Sequence, residues 1–296
     1  MLPTPIAVAF LALIATTFGA NHVAARVAFD HGTGVLLAIV ARSGLATLVL
    51  LAVALVQKTK PHIRAEARGW LALTAVLIAV QSACIYSAVA RVPVAIALLV
   101  FNLFPLFFVL LTWALNGKRP PRTTLLMVPV IFVGLALVLD IPALLGGLAW
   151  TPTFTLGIAC ALGAAFTFSS ALWLTENKLN GLNGALRSFF LQALVTLIAG
   201  LAMAANVLPA MSALPRDQTG VIALLILAVV YAIAFSTLFM MMPRLNLSRN
   251  APVLNVEPVA TLFLAWLILG QTFNATQTVG AVIVVLAIIG MSTAKK

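Results

Sequence analysis

The sequence predicts an all-α integral membrane protein: ten transmembrane helices arranged as two inverted five-helix repeats. Three observations lead there. Of 296 residues, 63% are hydrophobic and only 8% are charged; the apolar residues come in runs long enough to cross a bilayer; and a set of conspicuous residues recurs at a constant shift. A mean hydropathy of +1.17 leaves too little polar surface to cover a soluble globule, and runs of about 20 apolar residues match a hydrocarbon core about 30 Å thick.

The spans fall roughly at 4–27, 34–56, 70–91, 93–115, 123–140, 153–174, 183–206, 219–242, 250–270 and 274–292, with Gly, Pro and Asn punctuating short joints. The first reads as a span and not as a signal peptide, because residues 1–5 hold no Lys or Arg and the apolar stretch runs about twice the usual length of a signal core. The fourth, between Val100 and Leu115, is apolar on every face. That excludes the period-two alternation of a barrel strand and leaves helices, whose backbones satisfy their own hydrogen bonds. Basic joints separate the second span from the third (Lys58, Lys60, Arg64, Arg68) and the fourth from the fifth (Lys118, Arg119, Arg122).

With Lys178, Arg244, Arg249, Lys295 and Lys296, these joints put 12 of the 17 basic residues on one side of a ten-span chain, leaving Arg26, Arg91 and Arg216 near the other. The net charge of +11 is therefore a topology signal and calls for no nucleic-acid partner. It places both termini in the cytoplasm and the protein in the inner (plasma) membrane. Contact of the second joint with anionic lipid is compatible with this.

Asn102, Pro105, Trp113 and Gly117 return as Asn255, Pro258, Trp266 and Gly270, each 153 positions later, and Arg91 with Arg244 keeps the same shift. A weaker echo at other offsets links Arg42-Ser43 to Arg187-Ser188 and Phe18 to Phe166. The chain divides into 1–147 (spans 1–5) and 148–296 (spans 6–10). Five is odd, so span 1 leaves the cytoplasm while span 6 returns toward it, and the halves are inverted. Inverted halves around a midplane site are the build of a secondary transporter.

On these residues the chain resembles the drug/metabolite transporter superfamily, of the ten-helix exporter type with two inverted repeats. The resemblance rests on Phe18-Gly19-Ala20-Asn21-His22, Arg42, Arg91-Val92-Pro93, Leu103-Phe104-Pro105-Leu106-Phe107 followed by Trp113, and Val256-Glu257-Pro258-Val259 followed by Trp266 and Gly270. Within the superfamily it is most similar to the bacterial aromatic amino-acid exporter branch. The family commonly has Glu just after the Gly that closes spans 4 and 9, where this chain has Lys118 and Gln271, so no role of such a pair carries over.

Several polar residues are expected to contact substrate. Pro105 cannot donate a hydrogen bond and crowds the carbonyl four residues back, so Phe101, and likewise Leu254 below Pro258, should expose an acceptor. Asn102 and Asn255 stand beside those acceptors; either they offer amides to a zwitterion, or the prolines only shape the helices while the Asn side chains bond between spans. Trp113 and Trp266 lie on nearly the same face as these Asn residues, as gates or as interfacial belt residues. Glu257 is the only carboxylate well inside a span, where an exposed charge costs about 2.5–3.5 kcal/mol. Its depth-matched partner should be Arg187, Arg42 belonging to the outer half. The alternatives for Glu257 are a static ion pair and a protonatable group that couples to opening. Asn21, His22, Gln81, Tyr86, Phe168, Ser169 and Trp173 offer mixed aromatic and polar surface for an amphipathic substrate with a ring.

No metal or cofactor is expected: His22 has no partner at ligand spacing, and Cys84 and Cys160 lie within spans. An intramembrane enzyme would need a second deep carboxylate or a nucleophile with its base, and neither HExxH nor GxSxG occurs. A channel would need rings of charge or carbonyls. With no Walker A sequence, direct drive by ATP is excluded. The expected function is alternating-access export of small metabolites, with aromatic and other amino acids ahead of drugs or organic cations, by a protein for which a monomer is plausible.

Overall fold

Beside an apolar core, this protein buries many polar side chains and exposes many large apolar ones, unlike a water-soluble globule. Asn21, Ser43 and Gln192 are completely buried and Arg187 is 1% exposed, whereas Leu55 and Leu126 are each 68% exposed. Such a surface is matched by hydrocarbon and not by water.

The computed structural model describes residues 4–58, 63–92, 94–117, 122–138, 141, 151–206, 209–245, 253–254, 256–269 and 274–293, and among them every long element is an α-helix and no strand occurs. In chain order these are α1 (Thr4–Asp30), α2 (Val35–Val56), α3 (Ala65–Arg91), α4 (Val94–Phe101), α5 (Phe104–Asn116), α6 (Arg122–Val138), α7 (Pro152–Asn177), α8 (Gly184–Ala204), α9 (Gln218–Leu245), α10 (Val256–Leu269) and α11 (Ala275–Thr293), with a short 3-10 turn at Pro209–Ser212 before α9. Seven helical stretches are long and apolar enough to cross a membrane, while α6 and α11 carry shorter apolar segments, Leu126–Leu137 and Ala275–Ala287, and α10 has 14 residues. Each of the ten expected ranges holds one of these helices, except the fourth, which holds two.

The fourth range departs from a single kinked helix. α4 stops at Phe101, Leu103 N–H donates to the Val100 carbonyl at 3.1 Å in a tight turn, and α5 starts at Phe104 with Pro105 in its first turn. Proline is tolerated there because the first-turn N–H groups have no helical acceptor. Pro105 therefore starts a helix instead of bending one, and Pro258 occupies the matching first turn of α10. α5 ends on Gly117 in the left-handed region, φ 66°, which glycine adopts without a Cβ penalty.

The packing maps onto itself when each helix of the first half is exchanged for its counterpart in the second. α1 lies along α9 as α7 lies along α3; α2 meets α9 as α8 meets α3; α1 touches α10 as α7 touches α4 and α5; and α2 with α8, and α6 with α11, pair with their own counterparts. This is the contact pattern of a two-fold axis. Close approaches hold it tight: a Cβ on Gly19 of α1 would sit 3.2 Å from the Glu257 carbonyl oxygen of α10.

At one end of the bundle the joints from opposite halves are stitched together. Gly34 N–H donates to the Ala213 carbonyl at 2.8 Å, Arg216 N–H donates to the His31 carbonyl at 2.9 Å, and His31 Nδ1 lies 2.6 Å from Asp217 Oδ2. Asp217 also caps α9, its Oδ1 accepting from Gly220 N–H at 2.8 Å. That backbone N–H first, and the His31 hydrogen bond second, hold the Asp217 carboxyl below its ordinary value of 3.8.

Two expectations follow for thermal unfolding in detergent. A methyl on Gly34 meets the backbone of Met211, which cannot yield, whereas Gly69 in α3 has nothing within 4 Å. Gly34→Ala should cost about 1–3 kcal/mol and Gly69→Ala should add about 0.5–1 kcal/mol; equal effects would contradict the stitched joint. A carboxyl with a lowered folded pKa stabilises above its ordinary pKa, and that stability is lost as pH falls through the lowered value. The midpoint difference between the wild type and Asp217→Ala should thus be complete at neutral pH and shrink as the pH falls below the ordinary value of 3.8.

Candidate functional site

Between the two halves lies a cavity to which seven of the spans contribute. α1 supplies Phe18, Asn21 and His22; α2 supplies Arg42; and α3 supplies Ile78 and Gln81. Phe101 and Phe104 reach it from the two sides of the α4–α5 break, Phe168 from α7, Tyr231, Phe235 and Leu238 from α9, and Leu254 and Glu257 from the start of the ninth span.

Arg42, 2% exposed, is its electrostatic centre. Its guanidinium carbon lies 4.4 Å from the centre of the Tyr86 ring and 4.0 Å from that of Tyr231, so the cation is sandwiched between aromatic faces from opposite halves. One terminal nitrogen donates to Tyr86 Oη at 2.9 Å and the other to Ser82 Oγ. Tyr86 Oη donates onward to Asn21 Oδ1 at 3.2 Å, Asn21 Nδ2 donates to the Leu227 carbonyl at 3.0 Å, and Gln192 Nε2 donates to Tyr231 Oη at 3.0 Å. All these partners are neutral, and no described carboxylate is ion-paired with Arg42.

The cavity also holds a carboxyl group. Glu257, 4% exposed, places Oε1 3.1 Å from His22 Nε2, a close contact that lacks the alignment of a hydrogen bond, since Oε1 accepts none. Arg42 Nε, His22 Nδ1 and Glu257 Oε1 are all buried polar atoms without a hydrogen-bond partner. The same cavity is lined by an aromatic cluster, with ring centres 5.0 Å apart for Phe104 and Phe168 and 5.5 Å for Phe101 with each of them.

Of the residues expected to contact substrate, Asn21, His22, Gln81, Phe101, Phe168 and Glu257 line the cavity. Tyr86 is fully buried behind it and holds Arg42 and Asn21. Asn102 does not line it: its Nδ2 donates to the Leu98 carbonyl at 2.7 Å, the same carbonyl that accepts the Asn102 backbone N–H at 2.8 Å. Ser169 serves the break, its Oγ lying 2.6 Å from the Phe104 carbonyl. Trp173 is partly buried against the core, and Trp113, 47% exposed, faces outward away from the cavity. Asn255 and the Trp266 side chain lie outside the described residues.

The expected pairing of Arg187 with Glu257 is replaced by His22 with Glu257. Arg187 instead donates to the Leu179 carbonyl at 3.2 Å, at the start of the seventh span. Sequence reasoning also missed Arg42 and Tyr231 as site residues, although the chain has only two tyrosines and each follows a buried arginine by the same 44 positions, Arg42 to Tyr86 and Arg187 to Tyr231.

The chain matches the EamA-like transporter family twice, over residues 5–140 and 148–293. A solved structure titled "Crystal structure of protein" superposes with a TM-score of 0.71 at 18% identity, covering 98% of this chain and 96% of that one; at this identity the likeness is one of fold. No curated protein matches the chain.

The hydroxyls of the two tyrosines carry unequal burdens. Tyr86→Phe keeps the ring against Arg42 but strands one guanidinium donor and Asn21 Oδ1, whereas Tyr231→Phe strands only the Gln192 amide. Equilibrium unfolding in micelles should show Tyr86→Phe costing about 2–4 kcal/mol and Tyr231→Phe about 1–2 kcal/mol; the opposite order would contradict the network.

Proposed function

The chain belongs to the EamA-like transporter family, and on that premise we propose that it exports small zwitterionic metabolites, aromatic and other amino acids, across the inner (plasma) membrane by alternating access. It is a membrane transporter and not an enzyme. The observation that carries the substrate assignment is a buried cation and a buried carboxylate, Arg42 and Glu257, in one cavity walled by Phe101, Phe104 and Phe168.

An α-amino acid with a ring presents a carboxylate, an ammonium and an apolar body. Arg42 Nε suits the carboxylate, the Glu257 carboxylate suits the ammonium, and the phenylalanine cluster suits the ring. Glu257 also stands in the first turn of α10, at the helix end whose free N–H groups attract a carboxylate. His22 then competes with the substrate ammonium for the same oxygen. The inner face and both termini are assigned to the cytoplasm from the basic joints. The two-fold contact pattern supports alternating access, since each half can adopt the conformation of the other.

The second reading is export of organic cations. It is favoured by Glu257 among aromatic rings, a setting that attracts cations, and opposed by Arg42, which repels them.

Competition for uptake of labelled phenylalanine into proteoliposomes separates the two. Phenylalanine, tryptophan or tyrosine should outcompete tetraethylammonium, and the reverse order would overturn the amino-acid assignment. Glu257→Gln should weaken phenylalanine about tenfold while leaving 3-phenylpropionate, which lacks the ammonium, within about twofold. Equal losses for both compounds would show that Glu257 does not read the amine.

A further inference from the structure

The two ends of the bundle are built alike and stand in different states. His31 is the first residue past α1, and it meets Asp217, the residue just before α9, at 2.6 Å. Under the two-fold exchange α1 becomes α7 and α9 becomes α3. The first residue past α7 is Lys178, and the acidic residue in the first turn of α3 is Glu66. In both places, then, a basic side chain at the end of one helix faces an acidic side chain at the start of its partner from the other half.

At the His31 end the contact is closed, with two backbone hydrogen bonds beside it. At the Lys178 end the corresponding ion pair is unmade, although Asn116 Nδ2 at the end of α5 donates to Asn177 Oδ1 at the end of α7 at 2.8 Å. Lys178 and Glu66 line the same recess, together with Arg64 and Trp70, yet neither is ion-paired with a described residue. The Lys178 ammonium instead lies over the Trp70 ring, 5.3 Å from its centre. Trp70 is one helical turn beyond Glu66 on α3, so Lys178 already rests on the correct helix, one turn from the carboxylate.

We propose that Glu66 and Lys178 are the latch of this second end: they pair when it closes, in the state in which His31 and Asp217 part. The inference rests on the alternating-access reading above and on nothing about the substrate. A latch of this kind has a defined role in the transport cycle, because a closing ion pair at one end stabilises the state that is open at the other. Two latches of similar strength at opposite ends keep the two states close in free energy, and that balance allows turnover. Arg64, beside Glu66, would otherwise draw the carboxylate to its own helix, and Trp70 offers the lysine a resting place when the end is open.

The test is mutual exclusion of crosslinks, read without any substrate. In a chain carrying Cys84→Ala and Cys160→Ala, the pairs Glu66→Cys with Lys178→Cys and His31→Cys with Asp217→Cys are each oxidised to a disulfide with copper phenanthroline. Each pair alone should crosslink. With all four cysteines present, trapping one pair first should abolish crosslinking of the other, and formation of both disulfides in one molecule would overturn the proposal. Failure of the Glu66–Lys178 pair to crosslink at all would overturn it as well. In transport, Glu66→Lys should lower turnover up to about fivefold, and adding Lys178→Glu should restore it to within about twofold. No recovery in the charge-swapped protein would make the two residues independent and sink the latch. If phenylalanine proves not to be a substrate while the crosslinks remain exclusive, the substrate assignment fails and the latch stands.

Discussion

One buried cation organises the middle of this protein. Arg42 sits in a region from which water is largely excluded, and an unpaired charge there is costly. The usual remedy, a carboxylate against the guanidinium, is not used. Two tyrosine faces and two hydroxyls take its place. A desolvated cation–π contact contributes about 2 kcal/mol or more, and both contacts depend on rings delivered by different halves, Tyr86 from α3 and Tyr231 from α9. The charge therefore fixes how the halves meet. Because its partners are neutral, no described carboxylate is spent on the Arg42 guanidinium, which leaves it for the substrate carboxylate proposed above. A carboxylate partner would have satisfied the same burial and left the cavity blind to anions.

The same economy explains the broken helices. A continuous fourth span would keep its backbone polar groups to itself. The break between Phe101 and Phe104 interrupts the helical hydrogen-bond ladder at the depth of the cavity, and the side chains of Asn102 and Ser169 brace its two sides, Nδ2 of the first on the Leu98 carbonyl and Oγ of the second on the Phe104 carbonyl. Irregular backbone is tolerated at such depth only where protein surrounds it, and here α7 does so. Phe168 and Ser169 are neighbours on α7, one presenting its ring to the cavity and the other its hydroxyl to the break.

The spans and the repeat were legible because both are one-dimensional: apolar run length and a shift of 153 need no knowledge of the fold. The prolines were legible as breakers, although the sequence reading treated Pro105 as a kink and the structure makes it a helix start. What failed was depth. Counting residues from span ends matched Glu257 in depth with Arg187 and put Arg42 in the outer half, yet Glu257 meets His22 at 3.1 Å and lines one cavity with Arg42. The count assumed a straight ninth helix from residue 250, whereas α10 begins at Val256, so Glu257 falls at a helix start deep in the protein. The same assumption gave Glu257 to Arg187 and left Arg42 outside the site. A partner found by depth matching is only as good as the helix ends it is measured from, and broken helices have ends in the wrong place for such a count.

The duplication also shows where the two copies were allowed to differ. The shift of 153 pairs Phe101 with Leu254 and Phe104 with Glu257, and all four line the cavity. One copy thus supplies two rings where the other supplies an aliphatic chain and a carboxylate, at positions the scaffold makes equivalent. A symmetric solute would be served by equal residues at equal positions. A solute with a charged end and an apolar end needs different ones, and it also needs the two ends to be held at once from both halves. Under the proposed alternating access that requirement links recognition to movement: an exchange of conformations between the halves would shift Glu257 and Phe104 relative to Arg42 together. The contacts to the solute's two ends would then not both survive the exchange, and release would be part of the same motion that opens the other side.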